Sequence, residues 1–593
     1  MRVLRFIGKT LIVLFAIVGL LVVAGIATVA VGWRNLSQLT AEQMPPRALL
    51  IFDLADGVVE ALPSNPLALA AFNKAVTMRD VEHALRVAAT DNRVGGLLLH
   101  LGSGSLDLAH AQELADAVAG FRRSGKFVIA FAETFGDAGN ANAHYLLATA
   151  ANEIWLQPSG DLQLTGAALE APFLRNAFDK LGVVARMDHR EEYKGAVYSF
   201  TESAMPAPQR ANMQALIDSW VAQIADAVAR NRHIDPAKAR QLVEGGPYHA
   251  AAAKSAGLID NARYWDEALA AALQRAGPDA KKFALVDYID ALPDPSSDAK
   301  RIAVVYGVGP VVLGTAGNNA PYGGSVMAST TVANALHEAV DDPKIAGIIL
   351  RVDSPGGSYL AADAIWREVA RARQLNRPVV VSMAGVAASG GYFVAAPAAA
   401  IVAQPATITG SIGVFSGKFV VKDLLAKLGI SVDGVSRGPN ALADSPTTDY
   451  TPAQWALLET ELDRIYGDFL DKVAEGRHLG KDAVRASAKG QIWTGAAAKE
   501  RGLVDELGGF DTAVTVLRRL AKIDSNVVVA LEQYPAPGAG LPAALARMLG
   551  ASDGSVALLQ PLTRLQQIAA PAIDAFNMLT GSRDESRLRA PLP

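Results

Sequence analysis

Gly347-Ile348-Ile349-Leu350-Arg351-Val352 runs into Asp353-Ser354-Pro355-Gly356-Gly357-Ser358, a helical stretch over residues 359–374 follows, and Pro378-Val379-Val380-Val381-Ser382 closes the unit. A short apolar run ended by turn-forming residues reads as a buried strand, and a helix between two such runs is the crossover of a parallel pair. This alternation specifies an α/β fold with a parallel sheet. Two similar pieces lie downstream. Ala387-Ala388-Ser389-Gly390-Gly391-Tyr392 follows a strand and opens a helical run, and Thr409-Gly410-Ser411-Ile412-Gly413 follows the apolar run Ala400-Ile401-Val402-Ala403. All three loops therefore gather at the carboxyl ends of parallel strands, where open α/β sheets form their sites.

The same pattern occurs upstream. Gly96-Leu97-Leu98-Leu99-His100 is a strand, residues 108–123 a helix and residues 126–131 a second strand. Lys180-Leu181-Gly182-Val183 reappears as Lys427-Leu428-Gly429-Ile430, Thr165-Gly166 as Thr409-Gly410, and Lys254-Ser255-Ala256-Gly257-Leu258-Ile259-Asp260 as Lys499-Glu500-Arg501-Gly502-Leu503-Val504-Asp505. Each match lies roughly 245 positions downstream, so the chain is an internal duplication. The spacing predicts one repeat over residues 46–291, a Pro/Ser/Asp-rich linker over 292–300, and a second repeat over 301–535. Residues 536–593 read as an accessory tail with an amphipathic helix near 556–579, and the terminal segment 583–593 is expected to be mobile.

The copies differ in their reactive residues. Ser389 aligns with Asn142, next to the shared Tyr145/Tyr392 pair, whereas Lys194, in Glu191-Glu192-Tyr193-Lys194-Gly195, aligns with the Asn440/Ala441 region. A nucleophile kept in one copy and a base kept in the other point to one site built between two domains.

Composition narrows the function. With 593 residues, 51% hydrophobic and 19% charged, the chain can bury several cores, and global disorder is excluded. A net charge of −4 without a long Lys/Arg run argues against nucleic acid as a partner. The absence of cysteine excludes disulfides, thiolate catalysis and Cys-ligated metals. At the N-terminus Arg2, Arg5 and Lys9 precede residues 11–31, which carry no charge. As a helix this run spans about 31 Å, close to the hydrocarbon thickness of a bilayer. A cleavable signal peptide would have a shorter apolar core and a small-x-small site. The expectation is one transmembrane anchor, N-terminus cytoplasmic and the body outside, with Trp33 at the interface.

The Gly-rich loops suit acyl transfer: a serine at a strand-to-helix turn is exposed to substrate, and amides freed nearby can bind an oxyanion. A lone Ser-Gly-Gly is more often a tight turn. Its activation is the harder question. Of nine histidines only His478 follows Ser389, and its counterpart His233 in the first copy makes it structural; His337 lies on a helix away from the loops. Lysine is the alternative base. At an ordinary pKa of about 10.4 only about 4 in 10,000 lysines are neutral at pH 7, and lowering that value to about 7 takes ~4.6 kcal/mol of destabilisation of the charged form. Burial can supply it. Glu191 and Glu192 weigh against Lys194, because nearby carboxylates favour the ammonium.

Residues 351–358 (RVDSPGGS), 383–396 (MAGVAASGGYFVAA) and 409–414 (TGSIGV) closely resemble the bacterial signal peptide peptidase A family, peptidase family S49. The duplication and the N-terminal anchor resemble its long Gram-negative form, and the likeness extends from the anchor to about Gly509. The resemblance implies a crotonase/ClpP-like α/β domain in each copy and a Ser–Lys serine endopeptidase. It implies Ser389 as nucleophile, Lys194 as general base, Ser411 orienting the lysine, and Gly356 and Gly390 as sources of oxyanion amides. It further implies no cofactor or metal, a homotetramer on the outer face of the inner membrane, and substrates that are signal-peptide remnants and other apolar peptides. The competing reading is an inactive crotonase-like scaffold or acyl-group binder, which has no need of both Ser389 and Lys194.

Overall fold

The computed structural model describes residues 43–62, 75–136, 139–293, 298–315 and 325–535, together with the backbone of residues 588–589. The expected anchor over residues 11–31 and the expected tail helix over 556–579 lie outside the described residues. Among the described residues, no helix is long and apolar enough to cross a membrane.

The first copy contributes strands β1 (Ala48–Asp53), β2 (Val94–His100), β3 (Phe127–Ala132), β4 (Glu153–Leu156), β5 (Val184–His189), β6 (Asn261–Ala262) and β7 (Lys281–Ala284). Helices α1 (Met78–Thr90), α2 (Leu108–Arg122), α3 (Asn142–Thr149) and α4 (Ala207–Arg232) lie between them. The second copy contributes β8 (Lys300–Val308), β9 (Ile345–Ser354), β10 (Gly356–Gly357), α5 (Tyr359–Gln374), β11 (Val379–Ala388), α6 (Gly390–Ala395), β12 (Ala400–Ala403), β13 (Ile408–Gly410) and β14 (Phe415–Val420). It continues through α7 (Pro452–Arg477), β15 (Ile492–Thr494), β16 (Glu506–Leu507), α8 (Phe510–Leu520) and β17 (Val529–Tyr534), and the tail adds β18 (Leu588–Arg589).

The duplication is visible in the topology. The first sheet runs β6-β4-β3-β2-β1-β7, and the second contains β16-β12-β11-β9-β8-β17 in the same order, every neighbouring pair parallel. Strands covered on both faces are apolar throughout, which is why β3 reads Phe-Val-Ile-Ala-Phe-Ala with all six residues buried. In the second sheet the far half of β11 turns aside to pair with β13, which β15 flanks antiparallel. The first copy has a smaller counterpart there: a bridge from Phe135 to Leu162, with residues 161–162 paired antiparallel to 248–249.

Turn chemistry closes the elements. Ser358 Oγ accepts the Ala361 amide at 3.3 Å and starts α5. Thr451 and Gln454 form a reciprocal cap at the head of α7. His233 and His478 sit in the left-handed conformation that ends α4 and α7, φ 55° and 54°. This shared helix-ending position accounts for the paired histidines and holds both away from catalysis. Lys300, expected in the linker, is already the first residue of β8.

Three features hold the copies together. β5 of the first pairs antiparallel with β14 of the second, Val184 opposite Val420 through His189 opposite Phe415. Asn142's copy also sends α4 across: Asn212 exchanges both hydrogen bonds with Ile492, at 2.8 and 2.9 Å, and Trp220 Nε1 donates to Ala406 O at 3.0 Å. Deepest is Arg351, 1% exposed at the end of β9. Its five N–H groups go to Glu60 (2.7 and 2.6 Å), Glu113 (3.1 and 2.7 Å) and Ser382 (2.8 Å), the two carboxylates belonging to the first copy. A buried guanidinium with every donor satisfied is tolerated; one left unpaired is not. The fold corrects one expectation about the tail. Leu588–Arg589, within the segment expected to be mobile, forms a strand against β10.

Candidate active site

The second sheet delivers its loops to one point. β9 ends in Ser354 and turns at Gly356, whose φ is 96°, a left-handed value that favours glycine. A Cβ on Gly356 would lie 2.6 Å from Gly390 N and 2.8 Å from Ser389 Cβ. Ser389 ends β11 and begins α6 with φ 55° and ψ −116°, a conformation that costs a non-glycine residue about 1–3 kcal/mol. It is held there because its own amide donates to Gly410 O at 2.8 Å and its carbonyl accepts from Phe393 N at 2.9 Å. Tyr392 donates to Leu503 O at 2.9 Å, as Tyr145 donates to Leu258 O at 2.6 Å in the first copy. Asn142 therefore stands at the head of α3 where Ser389 stands at the head of α6, and its Nδ2 donates to Gly166 O at 3.1 Å.

Lys194 arrives from the other copy. After β5 the chain turns, Arg190 N donating to Val414 O at 3.0 Å and Tyr193 N to Lys489 O at 3.1 Å, so the β5–β14 pairing carries the turn to the second copy's loops. Lys194 is 0% exposed. Its Nζ lies 2.8 Å from Ser389 Oγ, 2.9 Å from Ser411 O and 3.0 Å from Ser411 Oγ. A neutral amine has two N–H groups and one lone pair. The two Ser411 oxygens can take the N–H groups, which leaves the lone pair for the Ser389 hydroxyl.

Burial lowers the Lys194 pKa to about 7, with no carboxylate opposing it. The neighbouring Glu192 is occupied with Lys489 at 3.0 Å, so it does not hold the ammonium. Ser411, like Ser389, has a positive φ, 50°. Two glycines shape the lysine channel. A Cβ on Gly490 (φ 75°) would come within 2.5 Å of Lys194 N, and one on Gly413 within 3.1 Å of its Cδ. Gly413 stands in a motif the sequence reading singled out; nothing in Ala488-Lys489-Gly490 distinguishes Gly490.

The structure thus brings Ser389, Lys194, Ser411, Gly356 and Gly390 together. The amide of Gly356, however, donates to Ser354 Oγ at 3.2 Å. Ser358 N donates to Val311 O at 2.9 Å, and because amides alternate between the two edges of a strand, the Gly357 N–H faces the opposite edge, over Gly390. Sequence reasoning missed this donor because the two glycines are adjacent and only their pairing separates them. Among the described residues no group of three or more His, Asp or Glu could hold a metal.

A buried serine in contact with a lysine whose pKa burial has lowered, beside glycine amides, is the equipment of a hydrolase that works through acyl transfer. Comparison with known proteins agrees. The model of peptidase family S49 matches residues 120–287 and 371–524, one segment in each copy. Protease 4 of Salmonella typhi is 32% identical over 98% of this chain and 94% of its own. Protease 4 of Haemophilus influenzae is 33% identical over 76% and 74% of the two chains. The chloroplastic serine protease SPPA of Arabidopsis thaliana is 29% identical over 84% and 74%. Among solved structures, a ClpP1 mutant from Listeria monocytogenes covers 35% of this chain and 94% of its own at a TM-score of 0.23 and 14% identity. The chain belongs to peptidase family S49 and is a serine protease.

Proposed function

We propose that this protease is a Ser–Lys dyad endopeptidase with one site per chain, Ser389 its nucleophile and Lys194 its general base. The observation that carries the reading is the 2.8 Å contact between Lys194 Nζ and Ser389 Oγ inside a site whose burial lowers the lysine pKa to about 7. In the first half-reaction Nζ takes the hydroxyl proton as Oγ adds to the peptide carbonyl. The Gly357 and Gly390 amides receive the oxyanion, each such donor being worth ~2.7–4 kcal/mol in the transition state. Nζ then passes the proton to the departing amine. Water repeats the sequence on the acyl-enzyme, and Ser411 keeps the amine aimed throughout.

Each copy is read as a crotonase/ClpP-like domain. The substrates are signal-peptide remnants and other apolar, unstructured peptides, as the family resemblance implies. Residues 11–31 anchor the chain in the inner membrane with its body on the periplasmic side. A homotetramer is supported by an unused edge. In the repeat alignment, residues 431–436 correspond to β5 and residues 168–173 to β14, and neither segment is a strand among the described residues. Leu428, Ile430, Val432 and Val435 are all exposed there. Pairing 431–436 of one chain with 168–173 of the next repeats the β5–β14 contact between chains, a head-to-tail interface of the kind from which closed rings are built.

Ser389→Ala and Lys194→Ala test the dyad. Each is expected to abolish cleavage of an unstructured apolar peptide while sedimentation of the assembly is unchanged. Full activity in either variant rejects it.

A further inference from the structure

A cavity of about 520 Å³ lies in the seam between the two copies, within the size range of small-molecule sites. No residue of the Ser389–Lys194 site lines it. From the first copy, α1 presents Glu82, Arg86 and Ala89 and α2 presents Glu113, Asp116 and Ala117, each set at the three- and four-residue spacing of one helical face. The opposite wall belongs to the second copy, where the turn Gly508-Gly509 leads into Asp511 at the head of α8.

The charges lining the cavity do not balance. Glu113, in its floor, accepts from the Arg351 guanidinium and from the Phe510 amide. At the rim Arg86 is taken by Asp511. Glu82 is different: it is 3% exposed, and no donor among the described residues reaches its Oε2. A buried carboxylate left in that state costs several kcal/mol. Burial, with Glu113 and Asp511 facing it from α2 and α8, holds the Glu82 carboxyl well above the usual carboxylate range, and Arg351 offsets this only in part. Asp116, nearer the mouth, accepts from Gln404 Nε2 at 3.1 Å, an amide rather than a cation. The carboxylates do not converge on one point either, since no group of three or more His, Asp or Glu among the described residues could hold a metal ion. Ala117, Phe121 and Leu507 add apolar wall to the same cavity.

We propose that this seam cavity binds a linear alkyl polyamine, one ammonium on Glu82 and a second on Asp116, with the alkyl chain along Ala117, Phe121 and Leu507. A buried ammonium supplies the donors that Glu82 Oε2 lacks, and such charge-assisted bonds are the strong ones. An extended cation with separated charges fits carboxylates that a single ion cannot bridge. The empty site holds a proton on Glu82, and the ammonium takes its place: the acid gives up H⁺ to solvent and pairs as the carboxylate. Binding therefore releases a proton and tightens as pH rises. Because the walls come from both copies, the occupant ties the seam together beside the Arg351 cluster.

Calorimetric titration of the full chain in detergent with spermidine, n-butylamine and Mg²⁺ tests this at physiological ionic strength. Spermidine is expected to bind once per chain and more tightly than n-butylamine, with a heat that varies with the ionisation enthalpy of the buffer because a proton is released. Glu82→Gln is expected to bind spermidine at least ~10-fold more weakly, without the proton release. Asp116→Asn, on the exposed end of the cavity, is expected to weaken spermidine and leave n-butylamine unchanged, and it decides the matter if the buried variant does not fold. Failure of the parent chain to bind spermidine overturns the proposal. So does unchanged affinity in both variants, n-butylamine binding as tightly as spermidine, or Mg²⁺ displacing spermidine at equal concentration.

Discussion

At the scale of single residues the chemistry of the proposed dyad turns on the protonation of Lys194. Its folded-state pKa, about 7, lies below the ordinary 10.5, so the fold prefers the neutral amine. The base becomes competent as pH rises, and kcat/KM should climb through about pH 7 and then level off. Stability follows the same sign. Below pH 7 folded and unfolded chains both carry the proton and the cost of burying it is present in full; above 7 the folded chain is neutral while the unfolded chain stays charged until about 10.5, and the cost is relieved. Lys194→Met is therefore expected to be more stable than the parent at pH 6, on the order of a few kcal/mol, with the gap narrowing toward pH 9 in urea unfolding. Gly490→Ala tests the channel: its Cβ would strike the Lys194 backbone, and kcat should fall at least ~100-fold, the cost of misplacing a reacting group by an ångström. Ser389 stood out in its glycine-rich loop and in the mismatch between the copies, whereas the case for Lys194 needed the family motifs. Glu191 and Glu192 argued against the lysine, and only the fold shows Glu192 paired with Lys489.

At the scale of elements, strands with continuous apolar runs were readable, and α5 and β12 begin and end where their sequence predicts. β11 runs further than its apolar run, through Met383-Ala384-Gly385-Val386, because its far end pairs with β9 and β13; Gly385 is small where Asp107 and His110 of the first copy press on it. β5 was not readable at all: Val-Ala-Arg-Met-Asp-His carries no apolar run, and the strand exists because β14 lies beside it. A strand specified by its partner leaves little trace in its own residues. The Arg351 cluster has the same character, since its carboxylates come from Glu60 and Glu113 far away in the chain. Glu113→Ala leaves the guanidinium partly unpaired and is expected to lower stability by about 3–5 kcal/mol in urea unfolding. Activity should fall with it, because Arg351 lies on β9 two residues before the Asp353-Ser354 end that sets the Gly-rich loop.

At the scale of the whole molecule, the proposed site draws one residue of its dyad from each copy. Each sheet repeats the other's strand order, yet Asn142 replaces the serine in the first copy and residues near Asn440 replace the lysine in the second. The β5–β14 pairing, the Asn212–Ile492 exchange and the Arg351 cluster hold the halves so that a lysine from one meets a serine from the other. The duplication and the division of labour were visible in the sequence; the contacts that enforce them were not, because each joins residues far apart along the chain. A serine-directed covalent probe with site mapping tests the composite site most directly. The expected result is one label per chain, on Ser389, with labelling slowed at least ~1,000-fold in Lys194→Ala. Two labels per chain, a label on another serine, or an unchanged rate in Lys194→Ala would contradict it.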